Sequence, residues 1–256
     1  MGERPANRAA EVAALQWGLA AGFSVIDTAE MYADGGAEEV VGGALAGRRD
    51  QAFLVSKVYP HNASRSGVVA ACERSLRRLQ TDHLDLYLLH WRGRIPLAET
   101  IAGFEQLQAA GKIRHWGVSN FDSSDLHELS TLAGGQHCAA NQVLYNLYRR
   151  GIEWQLLPVC QQSGMLLMAY SPLEQARLLK HPQLENFARE RGATVSQIVL
   201  AWLFRQPQVM AIPKSSQISH LKELVGALAL QLSPADLQLL DEMFPPPRGP
   251  QPLDML

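Results

Sequence analysis

Cysteine is scarce in this chain: Cys72, Cys138 and Cys160 are the whole complement among 256 residues. They are odd in number, far apart and lack zinc-site spacing, so neither a disulfide framework nor a metal centre is expected. All three read as small core residues in a reducing cytoplasm. Long hydrophobic runs are also lacking, and the longest strong one, Ile198–Phe204, is far shorter than the roughly 20 residues a membrane-spanning helix requires. The N-terminus has no apolar region of the secretory type, so a soluble, cytoplasmic protein with no membrane partner is expected. An excess of charge is missing too, with 23 Lys and Arg against 25 Asp and Glu. The arginine doublets at 48–49, 77–78 and 149–150 are scattered, which suits solvated helix ends and leaves no nucleic-acid footprint. Finally, no G-x-G-x-x-G follows any predicted strand, which removes the usual dinucleotide fingerprint of a doubly wound sheet.

What is present is an alternation. Helical spacing over Asn7–Ala21 is followed by an apolar strand at Phe23–Asp27 and a helix at Ala37–Leu45. The same alternation then runs through strand Ala52–Lys57, helix Arg65–Leu79, strand Leu84–His90, helix Leu97–Ala110, strand Ile113–Ser119 and helix Ser123–Leu132. Strand Cys138–Val143, helix Gly151–Ser163 and strand Met165–Tyr170 come next. Helices Pro182–Arg191 and Val195–Gln206, strand Val209–Pro213 and helices His220–Ala229 and Pro234–Met243 complete the order. Short apolar strands alternating with helices imply a parallel sheet buried on both faces. Together with the length, they predict a single (β/α)8 TIM-barrel domain over residues 1–256. Seven strands are found where the barrel needs eight. The expectation is therefore that the first strand and its lead-in are absent from this chain.

Three strands end in residues that a strand interior would not accept: Asp27, Lys57 and His90. Singly, each has a plain reading as a helix cap, a solvated lysine or a satisfied histidine. Jointly, neighbouring barrel strands would deliver an acid, an amine and an imidazole to one rim, on the same side-chain parity. Tyr32 lies five residues beyond Asp27. A buried ammonium beside a phenol favours the phenolate, and a carboxylate keeps that ammonium charged. Asp27 holding Lys57, and Lys57 lowering the pKa of Tyr32, is thus a self-consistent proton donor. His90 would orient a carbonyl.

The run Asp27-Thr-Ala-Glu-Met-Tyr32, with Lys57, His90 and Gly117-Val-Ser-Asn-Phe121, resembles the aldo-keto reductase family over essentially the whole chain. That resemblance implies a TIM barrel that takes NADPH (NADH also being possible) without a Rossmann fold and reduces carbonyls with an Asp–Tyr–Lys–His tetrad. It assigns the catalytic roles to Asp27, Tyr32, Lys57 and His90. It further implies carboxamide contacts from Ser119, Asn120 and Gln142, nicotinamide stacking by Tyr170, and pyrophosphate contacts from Ser171 and Leu173. Lys214 and Ser215 would take the 2′-phosphate by charge-assisted hydrogen bonds. Two departures stand in that segment: His220 occupies a position where many family members carry arginine, and Leu224 follows Glu223 where they carry asparagine. A lost guanidinium weakens selectivity for NADPH over NADH. The segment after Ser171-Pro-Leu-Glu-Gln-Ala176 is short for the family's loop there and lacks its glycines, so missing or mobile residues are expected. Tyr59, His61, Trp91 and Phe121 fall where the family builds its substrate pocket. Glu30-Met-Tyr-Ala-Asp-Gly-Gly-Ala-Glu38 and Leu253-Asp-Met-Leu256 resemble a bacterial subgroup acting on small aldehydes and α-ketoaldehydes such as methylglyoxal. The partner implied is a small-molecule carbonyl, and a monomer would suffice. Two further readings compete, a slow cofactor-binding regulatory barrel and a Schiff-base lyase using Lys57.

Overall fold

The computed structural model describes residues 1–256. In chain order its regular elements begin with α1 (Arg8–Ala20), β1 (Val25–Asp27), α2 (Gly36–Leu45), β2 (Phe53–Val58), α3 (Arg65–Leu79), β3 (Leu84–Leu89), α4 (Leu97–Ala109) and β4 (Ile113–Ser119). They continue with α5 (Ser123–Thr131), β5 (Ala140–Leu144), α6 (Leu156–Gln162), β6 (Leu166–Tyr170), α7 (Pro182–Glu190), α8 (Val195–Phe204), β7 (Val209–Ile212), α9 (Ile218–Val225) and α10 (Pro234–Met243). All seven predicted strands are present, and none precedes α1. No helix is long and apolar enough to cross a membrane.

Where boundaries moved, a local cause is visible. The predicted helix Gly151–Ser163 is a short 3-10 turn, Gly151–Glu153, followed by α6. Pro158 has no N–H to give and sits in the first turn of α6, where none is needed. Cys138 lies outside β5 because the 3-10 turn Gly135–His137 draws its amide to the Gly135 carbonyl. The predicted helix His220–Ala229 begins earlier, at Ile218, and tightens into a 3-10 turn at Gly226–Leu228.

The chain forms two compact units, one made of residues 1–140 with 216–218 and the other of 141–215 with 219–256. In the first, β1, β2, β3 and β4 pair in parallel in that order. Every residue of β3 is buried, as two-sided burial of a parallel strand requires. Helix α3 turns Val68, Ala71, Cys72, Ser75, Leu76 and Leu79 inward at three- and four-residue spacing, and Ser64 caps its start by accepting from the Gly67 amide. A fully buried Leu or Val of this kind is worth roughly 1.5–3 kcal/mol relative to exposure. Near the N-terminal ends of β2 and β3, the buried Asp85 carboxylate accepts from the Leu54 amide (2.8 Å), Arg49 (2.7 Å) and Arg114 (3.0 Å).

In the second unit β6 and β7 pair in parallel. Helix α8 is buried continuously from Ile198 to Leu203, which accounts for the longest apolar run in the sequence, and a Thr194–Gln197 capping box starts it. Ser233 and Asp236 cap α10 in the same way, with Pro234 at its first position. All three cysteines are free and buried. Burial raises the thiol of Cys72 to about 12 and that of Cys160 to about 11.

Candidate active site

The register of the first unit prepares the site. Asp27 pairs with Val55, so Lys57 lies two residues further along β2 on the same side-chain parity. Lys57 in turn pairs with Leu88, and the His90 amide continues the ladder by donating to the Val58 carbonyl at 3.0 Å. The structure brings the four predicted residues together. Lys57 is fully buried, and its Nζ donates to Asp27 Oδ2 at 2.6 Å, the Thr28 carbonyl at 2.8 Å and the Tyr32 hydroxyl at 3.2 Å. Those three bonds use all the donors an ammonium has. The His90 ring meets the Tyr32 ring edge to face at 5.6 Å between centroids.

The electrostatics correct one expectation. Tyr32 stands above, not below, its ordinary value: burial raises it by more than the Lys57 ammonium lowers it, and Asp27 adds to the rise. The phenol therefore holds its proton in the resting protein. Burial pulls Lys57 down, but Asp27 and Tyr32 outweigh it, and the amine stays charged with a raised pKa. His90 is pushed down to about 3 by burial and by the nearby Lys57 charge, so its ring is neutral. Its Nδ1 is buried with no partner in the protein.

The loop carrying Tyr32 is fixed by residues that sequence reasoning passed over. Glu30 is buried, and its Oε1 accepts from the Tyr59 amide (2.9 Å) and Asn62 (3.0 Å) while its Oε2 faces Arg74 at 3.3 Å. It thereby ties the turn after β1 to the turn after β2. Behind Lys57, the completely buried Glu38 accepts from Ser56 and Arg78, each at 2.6 Å. Beyond Tyr32 the backbone turns left-handed at Ala33 (φ 52°), Asp34 (φ 50°) and Gly35 (φ 88°). The two non-glycine positions each cost on the order of 1–2 kcal/mol.

Ser119 and Asn120 stand where β4 ends. Asn120 adopts φ 57°, a conformation asparagine tolerates, and its Nδ2 donates to the His90 carbonyl (3.1 Å) and Ser119 Oγ (3.2 Å). It therefore holds the end of β4 to the end of β3. Gly117 is required here, since a Cβ would lie 2.5 Å from the Ala140 carbonyl oxygen and 2.9 Å from Leu88 Cδ2. Of the predicted pocket residues, Tyr59 stacks on the exposed His61 at 4.7 Å and meets Trp91 edge-on at 5.9 Å, and Trp91 lies 5.0 Å from His90. Phe121 is completely buried.

In the second unit, Gln142 is buried with its Nε2 4.0 Å from Met168 Sδ. Tyr170 is half-buried, and its hydroxyl accepts from the Leu256 amide at 3.4 Å. Ser171 has φ 46° and gives its carbonyl to Asn146 Nδ2 at 2.9 Å; Leu173 is half-buried. Lys214 and His220 are exposed, Ser215 and Glu223 half-buried, and the Glu223 carbonyl accepts from Gln197 at 3.0 Å. The 171–176 segment is held through Asn146 and Glu174. Neither of those two was singled out from sequence, because an isolated Asn or Glu in a loop carries no periodic signal.

The family model for the aldo/keto reductase family matches residues 1–244. The chain belongs to the aldo/keto reductase family. It is accordingly an oxidoreductase with the family's (β/α)8 barrel fold, seven parallel strands of which are described above. It is 53% identical to the methylglyoxal reductase YeaE of Escherichia coli K12, covering 100% of this chain and 92% of that protein. It is 36% identical to a glyoxal reductase of Bacillus subtilis 168, over 92% of this chain and 84% of that one. An aldo-keto reductase from Klebsiella pneumoniae, solved in complex with NADPH, superposes with a TM-score of 0.98 at 56% identity, covering 100% of this chain and 92% of its own.

Proposed function

We propose that this aldo/keto reductase uses NADPH to reduce small aldehydes and α-ketoaldehydes of the methylglyoxal type, with Tyr32 as proton donor. The observation that carries the proposal is the single buried ammonium, Lys57 Nζ, held between Asp27 at 2.6 Å and the Tyr32 hydroxyl at 3.2 Å. The names of the similar reductases, one a methylglyoxal and one a glyoxal reductase, support a small dicarbonyl substrate. The NADPH-bound neighbour supports the cofactor.

The residues proposed for the cofactor carry the groups a dinucleotide needs. Amides and hydroxyls at Ser119, Asn120 and Gln142 suit a carboxamide, and the half-buried Tyr170 ring suits stacking. Ser171 and Leu173 would meet the pyrophosphate. Lys214, exposed and cationic, suits a 2′-phosphate with Ser215, and His220 and Glu223 would complete that segment. NADPH supplies the hydride when bound. Tyr32 gives its proton to the carbonyl oxygen as charge develops there, and Lys57 stabilises the phenolate left behind. Asp27 keeps Lys57 charged throughout, and water returns the proton to Tyr32. The neutral His90 ring donates a hydrogen bond to the same oxygen and so orients the carbonyl. The aromatic group of Tyr59, His61 and Trp91 would form the substrate wall, with Phe121 packed behind.

Lys57 as a Schiff-base nucleophile is disfavoured by its geometry, since its raised pKa and the Asp27 contact keep it protonated and without a lone pair. The test is Tyr32→Phe. A general acid contributes about 10²–10⁴ in rate, so NADPH consumption with methylglyoxal should fall by roughly 10³-fold. Fluorescence titration should show cofactor affinity unchanged. Near-normal turnover in the variant would remove Tyr32 as the donor.

A further inference from the structure

The turn that follows β6 is built in an expensive conformation. Ser171, Glu174, Gln175 and Ala176 all have left-handed backbones, with φ of 46°, 48°, 51° and 69°, and none is glycine. Such a turn persists only where its surroundings overdetermine it. The surroundings here are one buried carboxylate. The Glu174 side chain is 3% exposed, and its Oε2 accepts from Asn146 Nδ2 at 2.8 Å while its Oε1 accepts from Arg149 Nε at 2.9 Å and from the exposed Arg177 at 3.4 Å. The same Asn146 Nδ2 donates to the Ser171 carbonyl at 2.9 Å, so one fully buried amide grips both the start and the middle of the turn. Asn146 is itself fixed, its Oδ1 accepting from the amides of Tyr148 (2.9 Å) and Arg149 (3.2 Å). The clamp reaches the end of the chain as well: Arg149 pairs with Asp254 at 3.4 Å, two residues before the Leu256 whose amide bonds Tyr170.

We propose that Glu174 is a positioning residue for the dinucleotide, holding the Tyr170–Ala176 turn ready-formed through Asn146 and Arg149, with Asp254 of the C-terminal tail as the outer member of the clamp. The inference rests on the reading that Tyr170, Ser171 and Leu173 contact the cofactor. The physical reason is preorganisation. A carboxylate is costly to bury unless it is paired, and the pairing here fixes a surface turn that a flexible ligand would otherwise have to order on binding.

Three variants test it: Glu174→Ala, Glu174→Gln and Asp254→Asn. Two readouts are needed, tryptic cleavage after Lys180 in the cofactor-free protein and NADPH affinity by fluorescence titration. Losing charge-assisted bonds at a buried site should speed cleavage and weaken NADPH roughly tenfold in Glu174→Ala. The KM for the carbonyl and kcat at saturating NADPH should hold within about twofold, a split that general destabilisation would not produce. Glu174→Gln keeps an acceptor for Asn146 and should recover part of both losses. Asp254→Asn, at the exposed rim, should weaken NADPH by only about twofold to threefold. Cleavage at the wild-type rate in the Glu174 variants overturns the clamp. Faster cleavage with unchanged NADPH affinity overturns instead the placement of the cofactor on this turn, and the positioning role with it. Should Glu174→Ala fail to fold, Glu174→Gln and Asp254→Asn decide between the same outcomes.

Discussion

A phenol, an ammonium and an imidazole share one buried corner of this protein, and burial acts on them in opposite directions. Tyr32 keeps its proton because desolvation outweighs the Lys57 charge. Lys57 keeps its proton because Asp27 and Tyr32 outweigh desolvation. His90 alone yields, and is neutral down to about pH 3. That has a thermodynamic consequence whose sign follows from which state takes up the proton. The unfolded chain protonates His90 near 6.5 and the folded chain only near 3, so stability is present above pH 6.5 and is lost as pH falls through that interval. Between pH 7 and pH 4.5 the wild-type protein should lose roughly 2–3 kcal/mol more than His90→Gln, read as the difference in urea-unfolding free energies. Equal losses would show that His90 is not buried neutral.

At the scale of elements, function depends on how closely strands approach. The Gly117 to Ala140 approach at β4 leaves no room for a methyl group. Gly117→Ala should therefore destabilise by about 1–3 kcal/mol, visible as a lower denaturant midpoint at unchanged m-value. Asp85 fixes β2 and β3 at their other ends through the Leu54 amide, Arg49 and Arg114. Asp85→Ala leaves the buried Leu54 amide unpaired, and should cost roughly 1–3 kcal/mol while KM for the carbonyl is preserved in the folded fraction. The strands and most helices were legible because parallel buried strands read as short apolar runs and α3, α5, α8 and α10 carry capping residues. The misplaced boundaries lie where 3-10 turns at Gly135, Gly151 and Gly226 interrupt a helical or extended pattern that composition alone does not break.

At the scale of the whole molecule, a ligand that binds only the folded chain stabilises it by mass action. NADPH at a hundredfold excess over its dissociation constant should add about 2.7 kcal/mol, measured as a rise in unfolding midpoint that NADH at equal concentration matches less well. An equal rise with both nucleotides would count against a phosphate contact from Lys214. The tetrad and the aromatic residues proposed for the substrate all come from the first compact unit, whereas Gln142, Tyr170, Lys214 and the Glu174 clamp come from the second. Asp27, Lys57 and His90, proposed for the chemistry, were legible as polar endings to apolar strands, a contradiction that sequence displays plainly. The supporting residues Glu30, Glu38, Asn146 and Glu174 were not, because each is an ordinary polar residue until its burial is known.

The order of strands and helices and the shared side-chain parity of Asp27, Lys57 and His90 at strand ends follow from the sequence by itself, since periodicity and side-chain parity are properties of the chain. The direction in which Tyr32 titrates was decided only by tertiary structure. A pKa depends on the balance between desolvation and a charge at a definite distance, and neither quantity exists until the chain has closed around them. The same holds for the clamp on the turn after β6, where a carboxylate, an amide and a guanidinium distant in sequence acquire meaning only when folding removes water from between them.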